Sequence, residues 1–237
     1  RRSTRCFVVD GVRDTSFATP PSDGTRQFAQ LPLCITVTNG AVLPAWHISN
    51  PEFGWPNCFV VDQDSRVLGV GNADDHGHHS VRVGCSELGA GGVTLGRGSD
   101  IVQLLGVNSV VDVAGRPAPI DVTLGSGANC ALITDKSSGR RPSFGVIGGF
   151  NEDCVLSEGA TIGSIDTGLN NDRVCLTGAS VQAVDRTFAG RPAPVGGRLV
   201  LDSSIMTRVA NFERCQLLST ATLVDGACQR DLDGNPV

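Results

Sequence analysis

Short apolar runs rich in Val, Ile, Leu and Thr recur along the chain, separated by clusters of Gly, Pro, Asn and Asp. RCFVVDG at Arg5, NCFVVDQ at Asn57, NCALITD at Asn129, DCVLSEG at Asp153, VCLTGAS at Val174 and RCQLLST at Arg214 are six of them. Runs of this length bounded by turn residues predict strands. No long window carries a 3.6-residue apolar period, although Asp100 to Val113 can be forced into one. The chain therefore reads as all-β, and 1–237 as a single β-rich domain, with 216–237 as a capping tail.

A cysteine opens most of these runs. The nine cysteines stand at 6, 34, 58, 85, 130, 154, 175, 215 and 228, and their spacings fall mostly near 24 or near twice that. With cysteine-free rungs placed near Asn108 and Val195, the span from Cys6 to Cys215 divides into nine intervals of about 23 residues, a length suited to one turn of a β-solenoid. A second repeat agrees: FAGRPAPV at Phe188 copies VAGRPAPI at Val113 at an offset of 75, and the looser FATPPSDG at Phe17 lies 96 before the latter. Proline cannot donate to a ladder, so these segments are expected at corners where the chain leaves one sheet for the next. Side chains alternate across a strand, so each cysteine shares a face with the residue two further on. Those residues include Val8, Thr36, Val60, Leu132, Leu156, Thr177 and Leu217, which fit an interior; Glu87 and Arg230 break the pattern. The cysteines fit either a buried ladder of small apolar fillers or a framework of disulfides.

Rows of Asn-Cys or Asp-Cys followed by alternating apolar residues resemble the right-handed parallel β-helix proteins of the pectin-lyase type, over most of the chain from Cys6 to about Cys215. The resemblance implies a parallel solenoid with turns of about 24 residues and a menu of roles: polysaccharide lyases and hydrolases, tailspikes, adhesins and coat proteins. An antiparallel β-sandwich or jelly roll is the alternative fold, equally rich in glycine and turns.

The chemistry on offer is sparse. Asp74-Asp75-His76-Gly77-His78-His79 is the densest polar cluster. His76, His78 and His79 are candidate ligands for a divalent metal, the one cofactor the sequence admits. Asp74, Asp75 and His78 are the catalytic candidates, since Asp74-Asp75 is similar to the paired-Asp motif of polygalacturonase-type hydrolases and Gly77-His78 distantly similar to their Gly-His-Gly. That family sets the two motifs about a turn apart and adds Arg-Ile-Lys; here they are adjacent, and the sole lysine, Lys136, lies in TDKSSG. Asp62-Gln63-Asp64, the 231–235 stretch DLDGN, GAGGVTLGRG at Gly89 and GSG at Gly125 read as turns. Trp46 and Trp55 flank ISNPEFG and are candidates for binding a sugar ring or a partner, or for capping the core.

Charge narrows the partners. A net charge of −5 without a clustered basic face excludes nucleic acid as the expected partner. No apolar run reaches the length of a membrane span. The cysteine count favours a secreted, cell-surface or virion-surface setting, and the start at Arg1 is expected for a processed product or a fragment of a longer chain. The function expected is structural, by self-assembly, adhesion or contact with other surface proteins and glycans. A carbohydrate-active enzyme and a metal-dependent binding module are the alternatives.

Overall fold

A computed structural model describes residues 5–11, 33–43, 46–47, 57–72, 78–109, 115–135, 142–188, 191–192, 196–210, 212–218 and 221–226. These residues form a parallel β-solenoid of two facing sheets. Sheet A contains β1 (Arg5–Asp10), β2 (Leu33–Thr38), β5 (Asn57–Val61), β7 (His79–Gly84), β9 (Ile101–Leu105), β12 (Cys130–Thr134), β14 (Cys154–Glu158), β16 (Arg173–Thr177), β20 (Gly196–Asp202) and β22 (Phe212–Leu218), stacked in that order. Sheet B contains β3 (Val42–Leu43), β4 (Trp46–His47), β6 (Arg66–Asn72), β8 (Glu87–Leu95), β10 (Asn108–Ser109), β11 (Ile120–Thr123), β13 (Ser143–Gly149), β15 (Thr161–Gly168), β17 (Ser180–Asp185), β21 (Ile205–Val209) and β23 (Thr222–Gly226). β18 (Thr187–Phe188) and β19 (Arg191–Pro192) make a small antiparallel hairpin. Every other pairing is parallel, and the described residues contain no helix.

One side of each strand builds the core. In sheet A, Ile35, Phe59, Val81, Val102, Ala131, Val155, Val174, Leu199 and Cys215 occupy one register column, and all are buried. In sheet B, Val70, Val93, Val122, Val146, Ile165, Val184 and Val209 form its counterpart. β-branched residues stack well here because each covers its register neighbour across a strand spacing of about 4.8 Å.

The column of cysteines exists, but on the other side of the sheet. Cys6, Cys34 and Cys58 are in register, as are Cys130 and Cys154, and the four from Cys34 onward are only half-buried on the outer face. Val8, Thr36, Val60, Leu132, Leu156, Thr177 and Leu217 therefore do not line the interior as a set: Val8 is 65 % exposed, Thr177 is exposed, and Thr36, Val60, Leu132 and Leu156 are half-buried. The residue following the cysteine points inward instead at Cys34, Cys58, Cys130, Cys154 and Cys175, whereas Cys215 itself stands in the inner column and Leu217 shares its side. Both parities are apolar in these runs, and the inward parity begins with Asn or Asp, which disguises it as the solvent side.

Two kinds of corner join the sheets. From sheet A to sheet B the chain turns on one or two left-handed residues followed by a small or aliphatic buried one, as in Asn39-Gly40-Ala41, Gly106-Val107, Gly159-Ala160, Gly178-Ala179 and Ser203-Ser204. Cys85-Ser86 is one of these corners, with φ +44° at Cys85. Cys85 thus ends a rung instead of opening one, which accounts for the misfit at Glu87. The rungs without a cysteine at the shared position are those with Ser80, Ile101, Arg173, Arg198 and Arg214; Asn108 opens a sheet B strand. From sheet B back to sheet A the corner is longer, as in LGRGSD at Leu95 and LGSGAN at Leu124. In GAGGVTLGRG the residues to Leu95 belong to β8, and only the remainder turns. GSG at Gly125 and Asp62-Gln63-Asp64 are turns as expected.

The proline repeats occupy unlike places. Arg191–Pro192 of the second copy lies between the sheet B strand β17 and the sheet A strand β20, at a corner, whereas RPAP of 116–119 lies between β10 and β11, both of which pair with β8. It is an excursion within a sheet B rung. Residues 216–218 and 222–226 of the expected tail extend the last rung.

Corner geometry predicts a substitution effect. Gly127 has φ +142°, and a Cβ there would stand 1.6 Å from the carbonyl oxygen of Gly98 on the adjacent turn. Gly115 also has a left-handed φ, +75°, but a Cβ there meets nothing within 4 Å. Gly127→Ala is expected to cost at least about 3 kcal/mol and Gly115→Ala about 1 kcal/mol in urea unfolding, because only the first adds a backbone collision to the conformational penalty.

Candidate functional site

The long corners deliver an Asn, Asp or His to the inward position just before or at the start of five successive sheet A strands, β7, β9, β12, β14 and β16. Asp100, Asn129, Asp153 and Asp172 are buried there on successive turns, with His79 below them. Each main-chain N–H donates to the side chain of the next turn: His79 N to Asp100 Oδ1 at 2.7 Å, Asp100 N to Asn129 Oδ1 at 2.9 Å, Asn129 N to Asp153 Oδ1 at 3.2 Å, and Asp153 N to Asp172 Oδ1 at 2.9 Å. The partners are 21, 29, 24 and 19 residues apart in sequence. Asn129 uses its amide fully, donating Nδ2 to Gly127 O and to Asp153 Oδ1. Asp153 Oδ2 accepts the Gly149 N–H at 2.9 Å.

Arg186 closes the series. Among the described residues it is the largest fully buried side chain, and its Nε donates to Asp172 Oδ2 at 3.2 Å. A second guanidinium nitrogen donates to Asn170 O. Gly196 makes room for it, since a Cβ there would lie 3.0 Å from the guanidinium. Burial pushes the Asp153 carboxyl up to about 7, overcoming its bonds from Gly149 and Asn129. Asp172 is also raised by burial, against the opposing pull of the Asp153 N–H, Thr167 and Arg186.

One residue further on, the outer column carries the thiols. Cys34 and Cys58 form a disulfide with Cα atoms 4.5 Å apart, and Cys215 is also disulfide-bonded. Cys130, Cys154, Cys175 and Cys85 are free thiols. Cys130 and Cys154 are register partners, and Arg173 follows Cys154 in the column. Arg173 Nε donates to Cys175 Sγ at 3.4 Å. The Cys154 thiol donates to Cys130 and holds it down at about 7, against burial and with help from the Arg173 charge. The same hydrogen bond, and then burial, push Cys154 up.

The histidine cluster divides. Asp74, Asp75 and His76 lie outside the described residues. His78 is exposed, and its Nδ1 lies 2.9 Å from Ser99 N and 3.2 Å from Ser99 O. His79 is buried and opens β7 at the foot of the polar series. The two described imidazoles thus sit on opposite sides of the sheet and do not converge. Among the described residues no group of three His, Cys, Asp or Glu side chains could hold a metal ion. Trp46 and His47 pair through β4 with Val70 and Gly71, while Trp55, Cys228 and the 231–235 stretch lie outside the described residues.

Asp100, Asp172 and Arg186 escape sequence reasoning. The signal that could have found the first two is the Asn or Asp closing each Gly-rich corner; Arg186 has none beyond the GGR that accommodates it. No protein-family model, curated protein or solved structure matches the chain.

Two measurements check the buried series. The folded-state pKa of Asp153 is raised from 3.8 to about 7, so between those values the folded protein binds the extra proton and stability falls as pH rises. Unfolding free energy is expected to drop by roughly 2–3 kcal/mol from pH 5 to pH 8, and Asp153→Asn to flatten most of that slope. Arg186→Met leaves the Asp172 carboxyl buried without its cation and is expected to cost about 3–5 kcal/mol in denaturant melts.

Proposed function

We propose that this chain is a structural protein of an extracellular or virion surface, a coat, fibre, spike or matrix component that works by assembly or adhesion. We further propose that its coil is of the right-handed pectin-lyase type. The observation carrying the functional reading is the last rung. Leu217 is in register with Leu201, which is fully buried, yet Leu217 is 51 % exposed. On the outward face of β21, in register with exposed Ser180, Ile205 is 58 % exposed. A position that belongs to the core is therefore exposed on the last described sheet A strand. Strand edges and apolar residues at the end of a stack favour the addition of another rung or another chain. Copies of the same chain, other surface proteins and glycans are the partners this reading admits.

Two further features support the setting. The Cys34–Cys58 disulfide fits an oxidising compartment. The architecture also stacks its outward positions in register along the coil, at a regular spacing suited to multivalent contacts.

Light scattering across a concentration series is the test. The protein is expected to gain mass with concentration, and Leu217→Arg to weaken that self-association by about tenfold or more, since a charge placed at a desolvated contact costs more than 1.4 kcal/mol. A protein that stays monomeric throughout and binds neither cells, glycans nor other surface proteins contradicts the reading.

A further inference from the structure

The outer column of sheet A holds two equivalent cysteine pairs in different covalent states. Cys34 and Cys58 face each other on adjacent rungs and are bonded. Cys130 and Cys154 face each other on adjacent rungs of the same sheet and are free. Both pairs are 24 residues apart in sequence and both are half-buried on the outer face. Parallel neighbours in register lie about 4.8 Å apart, inside the Cα range that a disulfide spans, roughly 4.4–6.8 Å. Cys175 does not compete on these terms. Its register partner is Leu156, two residues beyond Cys154, and the diagonal separation across adjacent strands is about 7–8 Å.

We propose that Cys130 and Cys154 form a thiol–disulfide exchange site on the outer face of the solenoid, which takes a low-molecular-weight disulfide of the glutathione type and closes to a second axial staple. The Cys130 thiolate attacks one sulfur of the small disulfide. That S–S bond breaks, and the released thiolate takes up a proton. Cys154 then gives up its proton and attacks Cys130 Sγ in the mixed disulfide, expelling the second small thiol. Two protein thiols are oxidised by two electrons, and one small disulfide is reduced to two thiols.

The surroundings assign the roles. Cys154 donates its S–H to Cys130, and Arg173 adds positive charge, so Cys130 is the sulfur that ionises first, near pH 7. The charged and titratable groups facing Cys130 are Cys154 and Asp153 on β14 and its approach, and Arg173 and Cys175 on β16. On the β9 side the register neighbour is Ile101, which carries no charge. A thiol with its pKa near ambient pH is the most effective attacking group in exchange, because thiolate fraction and nucleophilicity are then balanced. Exchange here requires no change of fold, since the bonded Cys34–Cys58 pair shows that the sheet accommodates the link.

The test is peptide mapping of the full chain, as isolated and after oxidised glutathione at pH 7, with remaining thiols alkylated. The expected result is one linked peptide joining Cys130 and Cys154, with Cys34–Cys58 retained. In Cys154→Ser the reaction should stop at a glutathione adduct on Cys130. In Cys130→Ser the adduct on Cys154 should form at least about tenfold more slowly, as its proton is held more tightly. Cys175→Ser should close as the parent does, and the rate at Cys130 should rise through about pH 7. A link between Cys154 and Cys175, or wild-type protein in which Cys130 and Cys154 both stay alkylatable, overturns the proposal. The wild-type map decides this even if a variant folds poorly.

Discussion

The solenoid depends on its turns staying in register, and the interaction that fixes register is the buried polar series from His79 to Arg186. Apolar columns hold the turns together and resist a one-residue slip, but a slide of two residues keeps every side chain on its own face, and a column of valines is indifferent to it. A main-chain N–H pointing at a carboxylate or amide on the next turn is not, because a slide would leave both groups buried and unbonded, at about 1–3 kcal/mol each. Asn129 illustrates the constraint: its side chain accepts from Asp100, donates to Asp153 and ties its own corner at Gly127. The series ends on a cation because three of its members are acidic. Burial keeps two of these carboxyls reluctant to ionise, and Arg186 compensates the one it touches.

This arrangement couples the interior to the outer face. The residue that anchors each turn is followed directly by the residue of the outer thiol column, as in Asn129-Cys130, Asp153-Cys154 and Asp172-Arg173. Fixing the first fixes the second. The outer thiols therefore meet their neighbours in defined pairs, and a guanidinium arrives beside Cys154 because Asp172 holds the start of its strand. Chemistry on the outside of the coil inherits its geometry from hydrogen bonds on the inside.

Much of the fold was legible in the chain, since glycine-punctuated apolar runs and cysteines near multiples of 24 implied a parallel coil. The facing of the strands was not. In CFVV, CALI and CVLS two consecutive apolar residues follow the cysteine, so alternation alone cannot say which points inward, and the inward row begins with Asn or Asp. That polar start is legible only once the buried side chains are seen to accept bonds from the next turn. Cys85 misled for a different reason: it occupies a left-handed corner position where Gly106, Gly159 and Gly178 stand on other turns. The candidate site was legible only as a spacing. Nothing local in NCALITD or DCVLSEG says that their cysteines are partners, because the pairing arises from which strands lie alongside.

Native-state hydrogen exchange at the amides of Asp100, Asn129 and Asp153 tests the register claim most directly. These N–H groups bond to side chains of the next turn. If those bonds hold the coil, the three amides exchange as slowly as the interior strand amides of Val102, Ala131 and Val155, and Asn129→Ala releases Asp100 together with the adjoining turns. Exchange at the rates of exposed loops, or a substitution at Asn129 that leaves its neighbours protected, would contradict the account.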